Sequence, residues 1–304
     1  MIDKLKDVYR YSEIFYSIQG EGRYSGTGTL WCRFFLCNLQ CDGFMQKDPT
    51  DPRTYDLPYL NIDPKEYASM EDLPVFDKGC DSSYSWSKKY KHLQRSGTAA
   101  QIAERITHEA KTESNPNGLF KHPNGSWQHL CFTGGEPLMK HGQKAVPEIL
   151  NEYKRFDNLP KSVTFETNGT QPLSDDFKTF FSVAANQSGP ELFFSISPKL
   201  HTVSGEKKSK AIKLDTIAEY HKLSSNGQLK FVLGEDELQW EEMEDVLSDI
   251  RKVGVKYPVW IMPVGALAEQ QQASAGKIAE KAFKRGYNVS ARVHCYLWGN
   301  TIGV

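Results

Sequence analysis

Nowhere does the chain carry an uninterrupted apolar run of about eighteen residues, the length a membrane-crossing helix needs. Its first residues, Met1-Ile2-Asp3-Lys4-Leu5-Lys6-Asp7, lack the apolar centre of a secretory signal. Net charge is nearly absent too: 37 Lys and Arg stand against 38 Asp and Glu. No global basic field therefore draws the chain to nucleic acid or an acidic membrane surface. The densest local run, Lys207-Lys208-Ser209-Lys210, reads as a solvated loop. Internal repeats and low-complexity tracts are also missing. These absences predict a cytoplasmic protein with no membrane and no direct nucleic-acid partner. In that reducing setting the six cysteines are not expected to form a disulfide framework.

Apolar patterning is plentiful. Strands are predicted at 11–18, 29–36, 128–133, 162–167, 192–197, 228–233, 258–262 and 288–294. Helices are predicted at 98–111, with Thr98 as N-cap, and near 145–155, 212–223, 236–252 and 270–285. Strands alternating with helices predict an α/β fold of parallel βα units. Residues 42–79 differ. They hold five prolines, many aspartates and no sustained apolar period, and read as an irregular insertion in a single domain spanning 1–304.

Polar signals fall just after predicted strands: Gly134-Gly135-Glu136-Pro137, Asn168-Gly169, Ser197-Pro198-Lys199 and Met262-Pro263. In barrel-like α/β folds the site collects at the C-terminal ends of the strands. After the second strand, Cys37-Asn-Leu-Gln-Cys41 places two thiols on one loop. That pair suits an iron–sulfur centre, half a zinc site or two packed thiols. A four-ligand zinc site lacks a second close cysteine pair to complete it.

The run Glu13-Ile-Phe-Tyr-Ser-Ile-Gln-Gly-Glu-Gly22, then Arg33, then Cys37-Asn-Leu-Gln-Cys41, resembles the start of the 7-carboxy-7-deazaguanine synthases, a radical S-adenosylmethionine (SAM) family. In that family a third cysteine usually follows the second after two intervening residues, in a Cys-Asp-Thr run; here that position is Phe44. The expected run stands later, as Gly79-Cys80-Asp81-Ser82-Ser83-Tyr84-Ser85-Trp86. The resemblance thus implies an insertion between the second and third cluster ligands. It also implies a partial (βα)6-type TIM-like barrel of the radical SAM kind.

By the same resemblance, Cys37, Cys41 and Cys80 hold a [4Fe–4S] cluster and Ser82 replaces the family's Mg²⁺-binding threonine. SAM contacts fall to Gly134, Gly135, Glu136, Glu166, Asn168, Ser197, Lys199, Met262 and Pro263, Met262 standing where the family usually has Gln. Substrate contacts fall to Ile18, Gln19, Gly20, Glu21, Arg33, Thr133, His294 and Val304. A guanidinium such as that of Arg33 binds a carboxylate bidentately. The implied substrate is the pterin 6-carboxy-5,6,7,8-tetrahydropterin, the implied partners an electron donor such as flavodoxin and a second copy in a homodimer. Cys32, Cys131 and Cys295 are expected to be packed thiols on strands. Two alternatives stay open: another radical SAM enzyme, such as a glycyl-radical activase, and a non-catalytic protein using its cysteines for structural zinc.

Overall fold

A computed structural model describes residues 7–186 and 189–303. Its strands are β1 (Tyr9–Ile18), β2 (Gly28–Phe34), β3 (Arg95–Gly97), β4 (His129–Gly134), β5 (Ser162–Thr167), β6 (Glu191–Ile196), β7 (Gly227–Leu233), β8 (Val259–Pro263) and β9 (Asn288–Val289). They form one sheet in the order β3-β1-β2-β4-β5-β6-β7-β8-β9. Pairing is parallel from β2 through β9, while β1 runs antiparallel to β2, and β3 to β1. The sheet stays open between β3 and β9. It is nonetheless curved: the turn after β1 reaches across it, with the Gly22 amide donating to Ser290 Oγ (2.8 Å) and the Arg23 amide to Gln228 Oε1 (3.0 Å). The expected α/β partial barrel is present.

Helices α1 (Ala99–Glu109), α2 (Lys140–Arg155), α3 (Asp175–Asn186), α4 (Leu214–Leu223), α5 (Glu237–Lys252) and α6 (Ala268–Lys284) occur among the strands, and α7 (Val293–Trp298) follows β9. Thr98 caps α1 as expected, in a reciprocal box with Gln101 that satisfies two otherwise orphaned amides. No element is predicted between 168 and 191, and α3 fills that gap; its apolar Phe177 and Phe181, four apart, pack on Phe165.

Period-two alternation divides the sheet's two faces. One face carries an aromatic row from Phe34 through Phe132 and Phe165 to Phe194, with neighbouring centroids 5.6 to 6.0 Å apart, ending on Tyr220 of α4. All five rings are fully buried. Burying each contributes roughly 1.5–3 kcal/mol over leaving it in water. The other face holds Arg33, Thr133, Glu166, Ser195, Gln228 and Lys230, and it is the face that forms the site.

Two expectations are corrected. The strand predicted at 288–294 ends after two residues, and His294 and Cys295 lie on α7. Cys295 is still a buried thiol, like Cys32 and Cys131. The lysine run at 207–210 is not a plain loop, because Lys208–Ala211 forms a helical turn. Residues 42–79 hold only short helical turns, and they are packed. Tyr59, Met70, Leu73 and Phe76 form a second apolar cluster with Tyr84, Tyr90 and Ile302.

Candidate active site

A cavity of about 280 Å³ opens at the C-terminal ends of the parallel strands. The three predicted cluster cysteines, Cys37, Cys41 and Cys80, line it together with Ser82. So do the predicted SAM contacts Gly134, Gly135, Glu166, Asn168, Ser197, Lys199, Met262 and Pro263. The predicted substrate contacts Ile18, Gln19, Gly20, Glu21, Arg33, Thr133 and His294 also line it. Glu136 does not, and Val304 lies outside the described residues.

Cys37 and Cys41 sit on a tight loop in which Leu36 (φ 92°) and Cys41 (φ 57°) adopt the left-handed conformation that most side chains avoid. Glu206 holds the loop from below, accepting from the amides of Gln40 (2.7 Å) and Cys41 (3.0 Å). Gly134, which ends β4, and Gly135 are required by this loop. A Cβ on Gly134 would stand 2.2 Å from the Phe34 carbonyl, and one on Gly135 2.3 Å from that of Leu36. Cys37, Cys41 and Cys80 share one apolar cluster with Leu39, Phe44 and Ala211. Burial pushes all three thiols up, Cys37 to about 12. Thiolates in such a place need bound metal to offset their charge. Among the described residues no three His, Cys, Asp or Glu converge on a single ion. Three thiols gathered at one cavity are the donor type an iron–sulfur cluster uses.

Glu136 works behind the cavity wall. Its side chain is fully buried. One oxygen accepts from the Thr167 hydroxyl (2.8 Å) and the Leu138 amide (2.9 Å), the other from the Asn168 amide (2.8 Å). Burial still outweighs these bonds and raises its carboxyl to about 7. Glu136 thereby sets Asn168, whose amide group donates to Asn38 Oδ1 (3.1 Å) and towards Cys37 Sγ (3.8 Å).

At the opposite end charges interlock. Glu21 pairs with Lys230 and, at 3.2 Å, with Arg292. Burial opposes the Glu21 charge, but Lys230 and then Arg292 outweigh it and hold the carboxyl well below its usual range. Lys230 also faces Glu166 at 3.9 Å, and Gln19 donates to the same carboxylate (3.3 Å). Arg33 donates to Glu13 (3.1 Å) and stacks over Tyr84. Arg292 further donates to Asp81 (2.8 Å) and to the Gly265 carbonyl (2.9 Å). Burial, then the Arg292 charge, lower His294 to about 4, so its ring is neutral near pH 7.

Lys230, Arg292, Asp81 and Glu13 are absent from the residues expected from sequence. For Lys230 the signal exists: Gln228, Lys230 and Val232 alternate with Leu229 and Phe231, which places the lysine on the inner face. Arg292 carries no comparable mark, since its partners come from distant segments.

No family model matches the chain. It is 25% identical to the 7-carboxy-7-deazaguanine synthase of Halobacterium salinarum, over 95% of this chain and 90% of that protein. The synthase of Rhodopirellula baltica is likewise 25% identical, over 96% of this chain and 87% of its own length. That of Thermoplasma acidophilum is 22% identical, over 96% and 99%. The crystal structure of QueE from Escherichia coli superposes with a TM-score of 0.51 at 15% identity, covering 94% of this chain and 95% of that one. Over nearly its whole length, the chain is thus similar in sequence to 7-carboxy-7-deazaguanine synthases and in fold to QueE.

Proposed function

We propose that this protein is a radical SAM carbon–nitrogen lyase that converts 6-carboxy-5,6,7,8-tetrahydropterin to 7-carboxy-7-deazaguanine with loss of ammonia, in 7-deazapurine biosynthesis. The observation that carries this is the meeting of Cys80 with Cys37 and Cys41 on one wall of the cavity, across the whole insertion. The similarity to the synthases supports the same activity.

Cys37, Cys41 and Cys80 would hold the [4Fe–4S] cluster. Together with SAM it supplies the one-electron chemistry that starts the ring contraction. The chain's own residues bind, orient and exclude water. Gly134 and Gly135 let backbone approach the methionyl end closely, and Asn168, Ser197 and Lys199 offer polar contacts beside the cysteines. Gln19, Glu21 and Glu166 present acceptors and a donor suited to a pterin edge. Arg33 offers its guanidinium to the substrate carboxylate. Ser82 would offer a hard oxygen to Mg²⁺. The catalytic domain is read as one unit carrying an insertion, working as a cytoplasmic homodimer supplied by an electron-donor protein. Among the described residues no helix is long and apolar enough to cross a membrane.

The test is anaerobic iron and sulfide quantitation with electron paramagnetic resonance, followed by incubation with SAM, reductant and the pterin. Wild type is expected to hold about four irons and four sulfides, with a reduced-cluster signal that SAM perturbs. Cys80→Ala should lose that signal, and Cys32→Ala should keep it. Zinc in place of iron, or a loaded enzyme that leaves the pterin unchanged, would overturn the assignment.

A further inference from the structure

Among the described residues Arg33, Lys199, Lys230 and Arg292 are the lysines and arginines that line the cavity. Arg33 is paired with Glu13, Lys230 with Glu21 and Glu166, and Arg292 with Glu21 and Asp81. Lys199 has no carboxylate partner among the described residues. Its ammonium donates to Ser197 Oγ (2.9 Å) and stands 5.7 Å from the centre of the Phe44 ring. A lysine alone is a poorly fixed charge, because its four-carbon stem is free to turn. Here a hydroxyl and an aromatic ring hold it at two points.

Phe44 is fixed in turn. Its amide donates to the Cys41 carbonyl (3.4 Å), and its carbonyl accepts from the Gly79 amide (2.8 Å), next to Cys80. That second bond closes the neck of the insertion. The side chain packs with Leu39, Cys41 and Ala211, alongside Cys37 and Cys80. The ring therefore bridges the cysteine group and the unpaired ammonium.

We propose that Phe44 is a positioning residue: its ring holds the Lys199 ammonium beside the cysteines, where it receives the carboxylate of SAM. The inference rests on the functional reading above and goes beyond it, because it gives a role to the residue at the neck of the insertion. A cation that lines a cavity with no acid beside it favours an anionic ligand group. The carboxylate is the anionic group of SAM, and Arg33 is available to that of the pterin. The ring face attracts the ammonium without neutralising it, so a carboxylate can still pair with it. Holding the lysine in place before the ligand arrives lowers the ordering cost of binding.

The experiment measures SAM binding to reconstituted holoenzyme by anaerobic equilibrium dialysis, expressed per cluster from iron and sulfide content. Phe44→Leu and Phe44→Met remove the ring and keep apolar bulk. Both should raise the SAM Kd about threefold to tenfold. Phe44→Tyr, which keeps the ring, should bind SAM as wild type does. Lys199→Met should itself bind SAM more weakly, and adding Phe44→Leu to it should cause no further loss, because the ring acts through the ammonium. The pterin KM should stay at its wild-type value. An unchanged SAM Kd in the ring-less variants overturns the proposal. So does an equal further loss in the Lys199→Met background, a loss shared by Phe44→Tyr, or a raised pterin KM with SAM binding intact. Low iron with normal SAM binding per cluster would assign Phe44 to the neck alone and overturns it too. Wild type that holds no cluster, or binds no SAM, sinks the functional reading and the positioning role with it. Wild type that binds SAM on a full cluster confines any failure to Phe44.

Discussion

Arg292 and Asp81, 211 positions apart in sequence, meet at 2.8 Å and tie the Cys80 segment to the far edge of the sheet. The same guanidinium reaches Glu21 and the Gly265 carbonyl, so three segments that line the cavity converge on one side chain. Asp81→Asn should loosen the Cys80 segment. Asp81 is two-fifths exposed, so the stability cost is only about 1 kcal/mol. The larger effect falls on metal: iron should be lost faster to a chelator than from wild type, at a rate measured by absorbance. Equal rates would show that the Cys80 segment is held by other contacts.

Lys230 lies between two carboxylates with its side chain 7% exposed. Lys230→Met leaves Glu21 and Glu166 facing each other with less compensation. Truncating one member of a buried charge pair costs about 3–5 kcal/mol. Chemical denaturation should register a loss of that order, and the double variant Lys230→Met/Glu21→Gln should recover part of it. Additive losses in the double variant would mean the two residues are not coupled.

Gly134 has φ 141° and no room for a Cβ beside Phe34. Gly134→Ala therefore combines backbone strain with overpacking, at about 3 kcal/mol in total. Gly125→Ala is the comparison: its φ is also positive, at 90°, but open space surrounds it. Urea midpoints should fall much further for Gly134→Ala than for Gly125→Ala.

Glu136 gives a pH signature. Its folded value, about 7, lies above the ordinary 4.5. Between these values the folded protein keeps a proton that the unfolded chain has released. Stability from this difference is full below about 4.5 and is lost as pH rises through 7. Glu136→Gln should remove that fall from the stability profile. It should also lower stability throughout, because an amide nitrogen would meet the Asn168 or Thr167 donor. A profile with unchanged slope between pH 5 and 7 would assign the titration elsewhere.

His294 gives the opposite sign. Its folded value, about 4, lies below the ordinary 6.5, so its contribution is present above 6.5 and lost as pH falls through 4. His294→Gln should flatten the acid limb of the stability curve. An unaltered acid limb would show that His294 is not buried in the neutral form.

Much of this site is legible in the sequence because short motifs carry it. Thr133-Gly134-Gly135 and Glu166-Thr167-Asn168 span the ends of strands with strong apolar patterning and Ser197-Pro198-Lys199 follows one, and the strands place them at the cavity. Cys80 is found only through its neighbours Asp81, Ser82, Tyr84 and Trp86, since the insertion removes the usual spacing. Glu136 shows the limit of motif reading: it belongs to the glycine motif, yet its side chain turns inward to Thr167 and Asn168. The Glu13–Arg33 and Arg292–Asp81 pairs depend on register and curvature, which local patterning does not encode. The strand expected at 288–294 stops because only Asn288 and Val289 pair with β8; beyond them Ser290 accepts from the Gly22 amide, the Val293 amide donates to the Gly20 carbonyl, and the chain coils into α7.

Ile302 packs in the apolar cluster built by the insertion, among Tyr59, Leu73 and Phe76. The stretch between Cys41 and Cys80 thus serves as anchorage for the segment that carries Ile302. The two segments share one packed cluster. A chimera that takes 42–79 without its matching 299–303, or the reverse, would expose aromatic surface and release the wall that carries Gly299, Thr301 and Ile302 into the cavity.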